Sequence, residues 1–151
     1  MFTKGLGALA LVGAIALSIS AVEVNLEDVK CLVNPNAPAK EATGVEYKEG
    51  KVFFCCGNCA AKFKEDSAPF AAAANHQLVR TGQYTQAHCP LSGGALNPEK
   101  TVEINGVSVQ FCCGNCQGKV AGAEGAEQVN LVFGDAAFTK GFEVVKEEEG
   151  E

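Results

Sequence analysis

A length of 151 residues fits one ordinary domain or two very small ones, and a hydrophobic content of 47% supplies enough apolar surface for a buried core. The formal charge is -6 and no basic stripe appears anywhere. That excludes nucleic acid as a partner, because such binding rests on Lys and Arg neutralising phosphates. Eight cysteines stand beside two histidines, one Met and no Trp, so soft chemistry in this chain falls to thiols.

The first elements form a targeting segment. Lys4 supplies a positive start, and Gly5 to Ile19 is a run of apolar and small residues. Ser18, Ser20 and Ala21 are small enough for a signal peptidase. This order predicts a signal peptide over residues 1–21 and an exported protein, periplasmic or secreted. The apolar run is short for a membrane span, so no membrane partner is expected once it is removed.

The mature chain reads as a tandem repeat. Cys31 is followed 24 positions later by Cys55-Cys56-Gly57-Asn58-Cys59. Cys89 is followed 23 positions later by Cys112-Cys113-Gly114-Asn115-Cys116. All eight cysteines fall into this scheme, and a repeated string with a matching upstream Cys is a strong signal. The segments between also correspond. Val102-Glu103-Ile104 and Val107-Ser108-Val109-Gln110-Phe111 alternate apolar and polar around Asn105-Gly106, a two-residue hairpin signal. Val45-Glu46-Tyr47 and Val52-Phe53-Phe54 flank a turn at Lys48-Glu49-Gly50-Lys51. Each module is therefore a Cys, a loop, a β-hairpin and then CCGNC.

A helix is expected after each CCGNC. Cys59 and Phe63 share a face at helical spacing, and Cys116 and Val120 repeat this where Gly118 and Gly122 lower helix propensity. Pro69 suits the first turn of a second helical stretch running into Phe70-Ala71-Ala72-Ala73-Ala74. Gln128 to Phe142 is ambiguous, reading as a short strand at Val129–Phe133 followed by a loop or a helix around Asp135 to Lys140. The residues from Lys146 to Glu151 read as an acidic, disordered tail. Phe53, Phe54, Phe63, Phe111 and Val120 are core residues on this reading.

Modules of this size bury too little surface to be comfortable alone and usually carry a metal or disulfide staple. Cys-x-x-Cys spacing lets two sulfurs converge on one ion, and a helix N-terminus favours the thiolate. The distant upstream Cys supplies a further ligand. The candidate metal ligands are thus Cys31, Cys55, Cys56 and Cys59, and Cys89, Cys112, Cys113 and Cys116. Thiolates select zinc or copper(I) over hard ions. A disulfide-stapled interaction module without metal is the alternative for an exported chain with an even cysteine count. A disulfide between adjacent Cys55 and Cys56 would be strained, since Cα atoms across a trans peptide are about 3.8 Å apart. A redox pair is a third reading, but no βαβ pattern surrounds Cys56-Gly57-Asn58-Cys59. His88 is a possible further ligand, and His76 is better read as an ordinary core or surface residue. No catalytic constellation can be assembled, so the chain is not expected to be an enzyme.

The run from Tyr47 through Phe53-Phe54-Cys55-Cys56-Gly57-Asn58-Cys59 to Phe63, continuing to Pro69-Phe70, resembles the YHS and TRASH family of small metal-binding modules. His88-Cys89-Pro90-Leu91-Ser92-Gly93-Gly94 is similar to the opening of another. The resemblance implies an α+β fold of two small tandem treble-clef-like modules, each a β-hairpin plus a helix. It places a first module at 22–85, a second at 86–146 and an acidic tail at 147–151. It implies a metal site at Cys31, Cys55 and Cys59, and another at Cys89, Cys112 and Cys116. Cys56 and Cys113 fall where many members carry a small residue. Metal handling or sensing is the role it implies, with metal ions as partners.

Overall fold

The computed structural model describes residues 23–146. The expected signal peptide and the acidic tail at 147–151 lie outside the described residues. The fold is α+β, as the sequence implies, with three two-stranded sheets and five α-helices among the described residues.

Both predicted hairpins form. In the first, β1 (Lys40–Tyr47) pairs antiparallel with β2 (Gly50–Phe54). Tyr47 faces Gly50, so the turn is the two-residue Lys48-Glu49 rather than the four residues expected. Lys48 takes φ 52° there, the left-handed conformation that a tight hairpin of this hand requires at its first turn residue. The register slips between Lys40 and Val45, and the Thr43 hydroxyl donates to the Phe54 carbonyl across the irregularity. The second hairpin is built in the same way. Strand β4 (Asn97–Ile104) follows β3 (Tyr84–Gln86), and pairs with β5 (Val107–Phe111). Its turn is Asn105-Gly106 with φ of 47° and 81°, and the register slips at the corresponding place, between Asn97 and Thr101.

A helix follows each cysteine string, α1 (Gly57–Glu65) in the first half and α3 (Gly114–Ala121) in the second. A 3-10 turn at Ala68–Phe70, carrying Pro69, leads into α2 (Ala71–Arg80). The open segment resolves as α4 (Gly125–Phe133), α5 (Asp135–Gly141) and a short strand β6 (Phe142–Val144). Val129, Leu131 and Phe133 alternate as a strand would, but the chain buries Val132 and Phe133 together against α2, a face only a helix offers.

The two halves interlock. Strand β3 from the end of the first pairs with β6 from the end of the second, with Tyr84 opposite Val144. Asn75 on α2 donates to the Phe133 carbonyl at 2.8 Å and to Asp135 Oδ1 at 2.9 Å, and Lys48 pairs with the same carboxylate at 3.1 Å. One apolar core runs through both halves, including Phe54, Phe63 and Leu78 with Ile104, Phe111, Val120 and Phe133. Phe53 faces the other way into a small cluster with Val29 and Ala39. All five residues expected in the core are buried.

His76 is half-buried against this core. Its ring lies edge-on to Phe133 at 4.9 Å, and Nε2 donates to the Ile104 carbonyl at 3.0 Å. Burial holds its pKa below the usual 6.5, against the pull of the Ile104 carbonyl. A histidine whose folded pKa is depressed stabilises the fold fully above its unfolded pKa. That contribution is lost as pH falls from about 6.5 through the folded value. The melting temperature is therefore expected to drop between pH 7 and pH 5, and His76→Gln, read by thermal unfolding across that range, should flatten the dependence.

Candidate metal centres

Each centre is assembled from three segments. In the first, Cys31 follows a β-bridge between Lys30 and Pro38, and its N–H donates to the Ala37 carbonyl at 2.9 Å, closing the loop it opens. Cys55 immediately follows β2, and Cys59 stands in the first turn of α1. The strand and helix are held in relation by aromatic packing one turn on. Phe63 meets Phe54 at 5.3 Å and Tyr47 at 5.3 Å. Such pairs contribute about 0.5–1.5 kcal/mol beyond their buried area. In the second centre Cys89 opens a loop closed by its N–H to the Gly94 carbonyl at 2.9 Å, and Phe111 and Val120 do the packing.

The sulfurs converge. Those of Cys31, Cys55 and Cys59 all lie within 4.8 Å of one another, as do those of Cys89, Cys112 and Cys116. Cys31 and Cys89 are buried at 2% and 0% exposure, and the other four are half-buried. The Cys55–Cys59 and Cys112–Cys116 sulfurs are each 3.7 Å apart. Four sulfurs at about 2.3 Å from a zinc ion sit about 3.8 Å from each other, whereas a disulfide needs about 2.05 Å. All eight cysteines are free, and none is at bonding distance from another. These two three-cysteine clusters could hold a metal ion.

Cys56 and Cys113 have a different station. Each is the N-cap of the following helix with extended backbone, φ -159° and -155°. Cys56 is 3.7 Å from Cys55 and 3.6 Å from Cys59, and Cys113 is 3.6 Å from Cys112. Neither belongs to its mutually close triad. Neither histidine belongs to a triad either, and the His88 side chain is exposed.

Charge within each centre is uneven. The Cys59 backbone N–H, then the neighbouring thiols, hold Cys56 below the usual thiol range, and the Cys116 N–H does the same for Cys113. Burial pushes Cys31 up, but backbone N–H groups of Asn34, Cys55 and Val33 outweigh it and the net shift is downward. In Cys89 burial is likewise outweighed, by the Ser92 hydroxyl and the N–H groups of Cys112, Ser92 and Leu91, leaving it at about 6. Cys59 is pushed up to about 12, mainly by Cys56, and Cys116 to about 12, mainly by burial. Two sulfurs per centre thus favour the thiolate, while the helix cysteine keeps its proton unless a cation offsets the gathered negative charge.

The residues that support the centres carry no signal in the sequence. Gln77 is buried on α2; its Oε1 accepts from the Phe53 N–H at 2.6 Å, and its Nε2 donates to the Phe53 and Lys30 carbonyls at 3.0 and 3.2 Å. One side chain thereby ties the strand that ends in Cys55 to the segment that ends in Cys31. Gln83 grips Lys51 in the same two-way fashion, at 2.7 Å each way. Gln86 does so for Gln110 in the second half, at 2.7 and 2.9 Å. These primary amides occupy strand edges that would otherwise expose unpaired backbone. Ser92 Oγ lies 3.1 Å from Cys112 Sγ. Glutamines have no sequence periodicity, and nothing in the string marked them.

Gly141 clamps the loop carrying Cys89. Its carbonyl accepts from the Ala87 and His88 N–H groups at 2.8 and 3.1 Å, and a Cβ there would lie 2.8 Å from Pro90 Cα and 3.0 Å from the His88 carbonyl. Both are backbone-held atoms that cannot swing away. Gly141→Ala is expected to cost about 1–3 kcal/mol through overpacking, and thermal unfolding of the variant measures it.

No protein family, curated protein or solved structure matches this chain. Fold and site define an α+β protein with two pseudo-equivalent clusters of three cysteines, each able to receive a metal ion.

Proposed function

We propose that this chain is an exported, non-catalytic metal-binding protein that holds one thiophilic ion, zinc or copper(I), in each module. Its role is metal handling or stabilisation of its own fold. The observation that carries the reading is the convergence of three sulfurs within 4.8 Å in both halves, from the same three kinds of segment. Sulfur ligands favour these soft and borderline ions. The likeness to YHS and TRASH modules points the same way, and the leader-like residues 1–21 support export. Thiolates gathered this closely repel one another, and an ion offsets that cost, so metal binding also stabilises the fold.

Elemental analysis combined with thiol counting on mature protein purified without added metal tests the reading. The expected result is about two ions per chain, with thiols protected until a chelator is added. Metal-free protein with its cysteines oxidised would establish the disulfide-stapled module instead.

A further inference from the structure

Each centre contains one more sulfur than its mutually close triad. Cys55, Cys56 and Cys59 form a triangle with edges of 3.7, 3.7 and 3.6 Å. Cys55 and Cys59 also belong to the inner triangle with Cys31. Two faces therefore share the Cys55–Cys59 edge. The inner face is backed by Cys31 at 2% exposure, and the outer face is completed by Cys56, which is exposed. The second centre repeats the extended N-cap geometry at Cys113, which is half-buried.

Building on the metal-site reading, we propose that Cys56 and Cys113 are exchange thiols, through which a thiophilic ion passes between each inner triad and a thiol-bearing donor or acceptor. An incoming ligand cannot reach Cys31 or Cys89 directly, because both are enclosed. It can reach the outer face. The ion would cross the shared edge by exchanging one sulfur at a time, Cys31 for Cys56, then Cys56 for a thiolate of the acceptor, and last Cys55 and Cys59 for further donor atoms of that acceptor. In each exchange one sulfur–metal bond forms as another breaks. The bonding thiol gives up its proton, the released thiolate takes one, and the ion keeps its oxidation state. Since Cys56 is exposed and Cys113 half-buried, the first centre exchanges faster than the second.

The test is stopped-flow transfer of zinc from the loaded full chain to an excess of a chromophoric chelator. The wild-type protein should release zinc in two phases. Cys56→Ser should keep both ions and slow the faster phase by about tenfold or more, and Cys113→Ser should do so for the slower phase. Unchanged phases would overturn the proposal. So would loss of the first ion from Cys56→Ser, which would make Cys56 a permanent ligand. Iodoacetamide labelling of the zinc-loaded wild-type chain gives a readout without substitution. Cys56 should be modified first and Cys31 last, and equal labelling across the centre would overturn the proposal as well. A wild-type chain that takes up no zinc at all would instead remove the metal-site reading on which this rests.

Discussion

Cys31→Ser combined with Cys89→Ser is expected to abolish tight zinc binding at both centres and, with it, any zinc-dependent gain in stability. These two cysteines are the buried members of their triads, and each comes from a segment far from the CCGNC string. Without them the remaining sulfurs lie on one strand end and one helix start, and nothing closes the ion from behind. Loss of an outer-shell partner alone typically costs 10–100-fold in metal affinity, and loss of a direct thiolate costs more. Zinc at about 1,000 times its dissociation constant stabilises a folded chain by about 4 kcal/mol per site. For a chain of this size each kcal/mol is worth roughly 3–5 °C. The wild-type melting temperature should therefore rise by about 10 °C or more on zinc addition, while that of the double variant stays where it is. Each single variant should retain one ion. A double variant that still gains stability from zinc would show that the triads are not the binding sites.

The division between what the sequence displays and what it hides follows the range of the interactions. The hairpins are local. Asn105-Gly106 and the alternation around it mark out β4 and β5 from neighbouring residues alone. The helices after CCGNC are local too, down to the buried faces at Phe63 and Val120. Convergence of Cys31 on Cys55 and Cys59 is not local, but the repeat of the spacing exposes it, since two copies keep the same separation only under the same constraint. By contrast, α4 is decided by a partner. Val129, Leu131 and Phe133 alternate, and only packing against α2 makes the segment helical. The pairing of β3 with β6 joins residues 84–86 to 142–144, a match of two three-residue strands that no periodicity announces. The first-module turn is shorter than the sequence predicts, because Gly50 has the composition of a turn residue without being one. In fact it begins β2, where a Cβ would lie 2.8 Å from Gln83 Oε1 and 2.8 Å from Leu78 Cδ2. That glycine serves a close approach, not a reversal of the chain.

The same reasoning makes Gln77 the most informative single position outside the sulfurs. Gln77→Leu keeps the approximate volume and removes both halves of the amide. Three backbone groups then lose their partner, the Phe53 N–H and the Phe53 and Lys30 carbonyls. Phe53 is 2% exposed, so water does not replace the amide freely. A buried polar group left unpaired costs about 1–3 kcal/mol, so the variant is expected to lose about 3 kcal/mol or more, measured by urea unfolding of the metal-free chain. The effect on metal should be confined to one half. Phe53 lies two residues before Cys55, and Lys30 immediately precedes Cys31, so freeing both lets the inner triangle of the first centre spread. The second centre takes its corresponding grip from Gln86 on Gln110 and is untouched. Zinc titration of Gln77→Leu should accordingly show one site of unchanged affinity and one weakened by about tenfold or more, the range typical of a lost outer-shell contact. Equal weakening of both sites would mean that the substitution acts through global stability, and that the amide does not position the first centre.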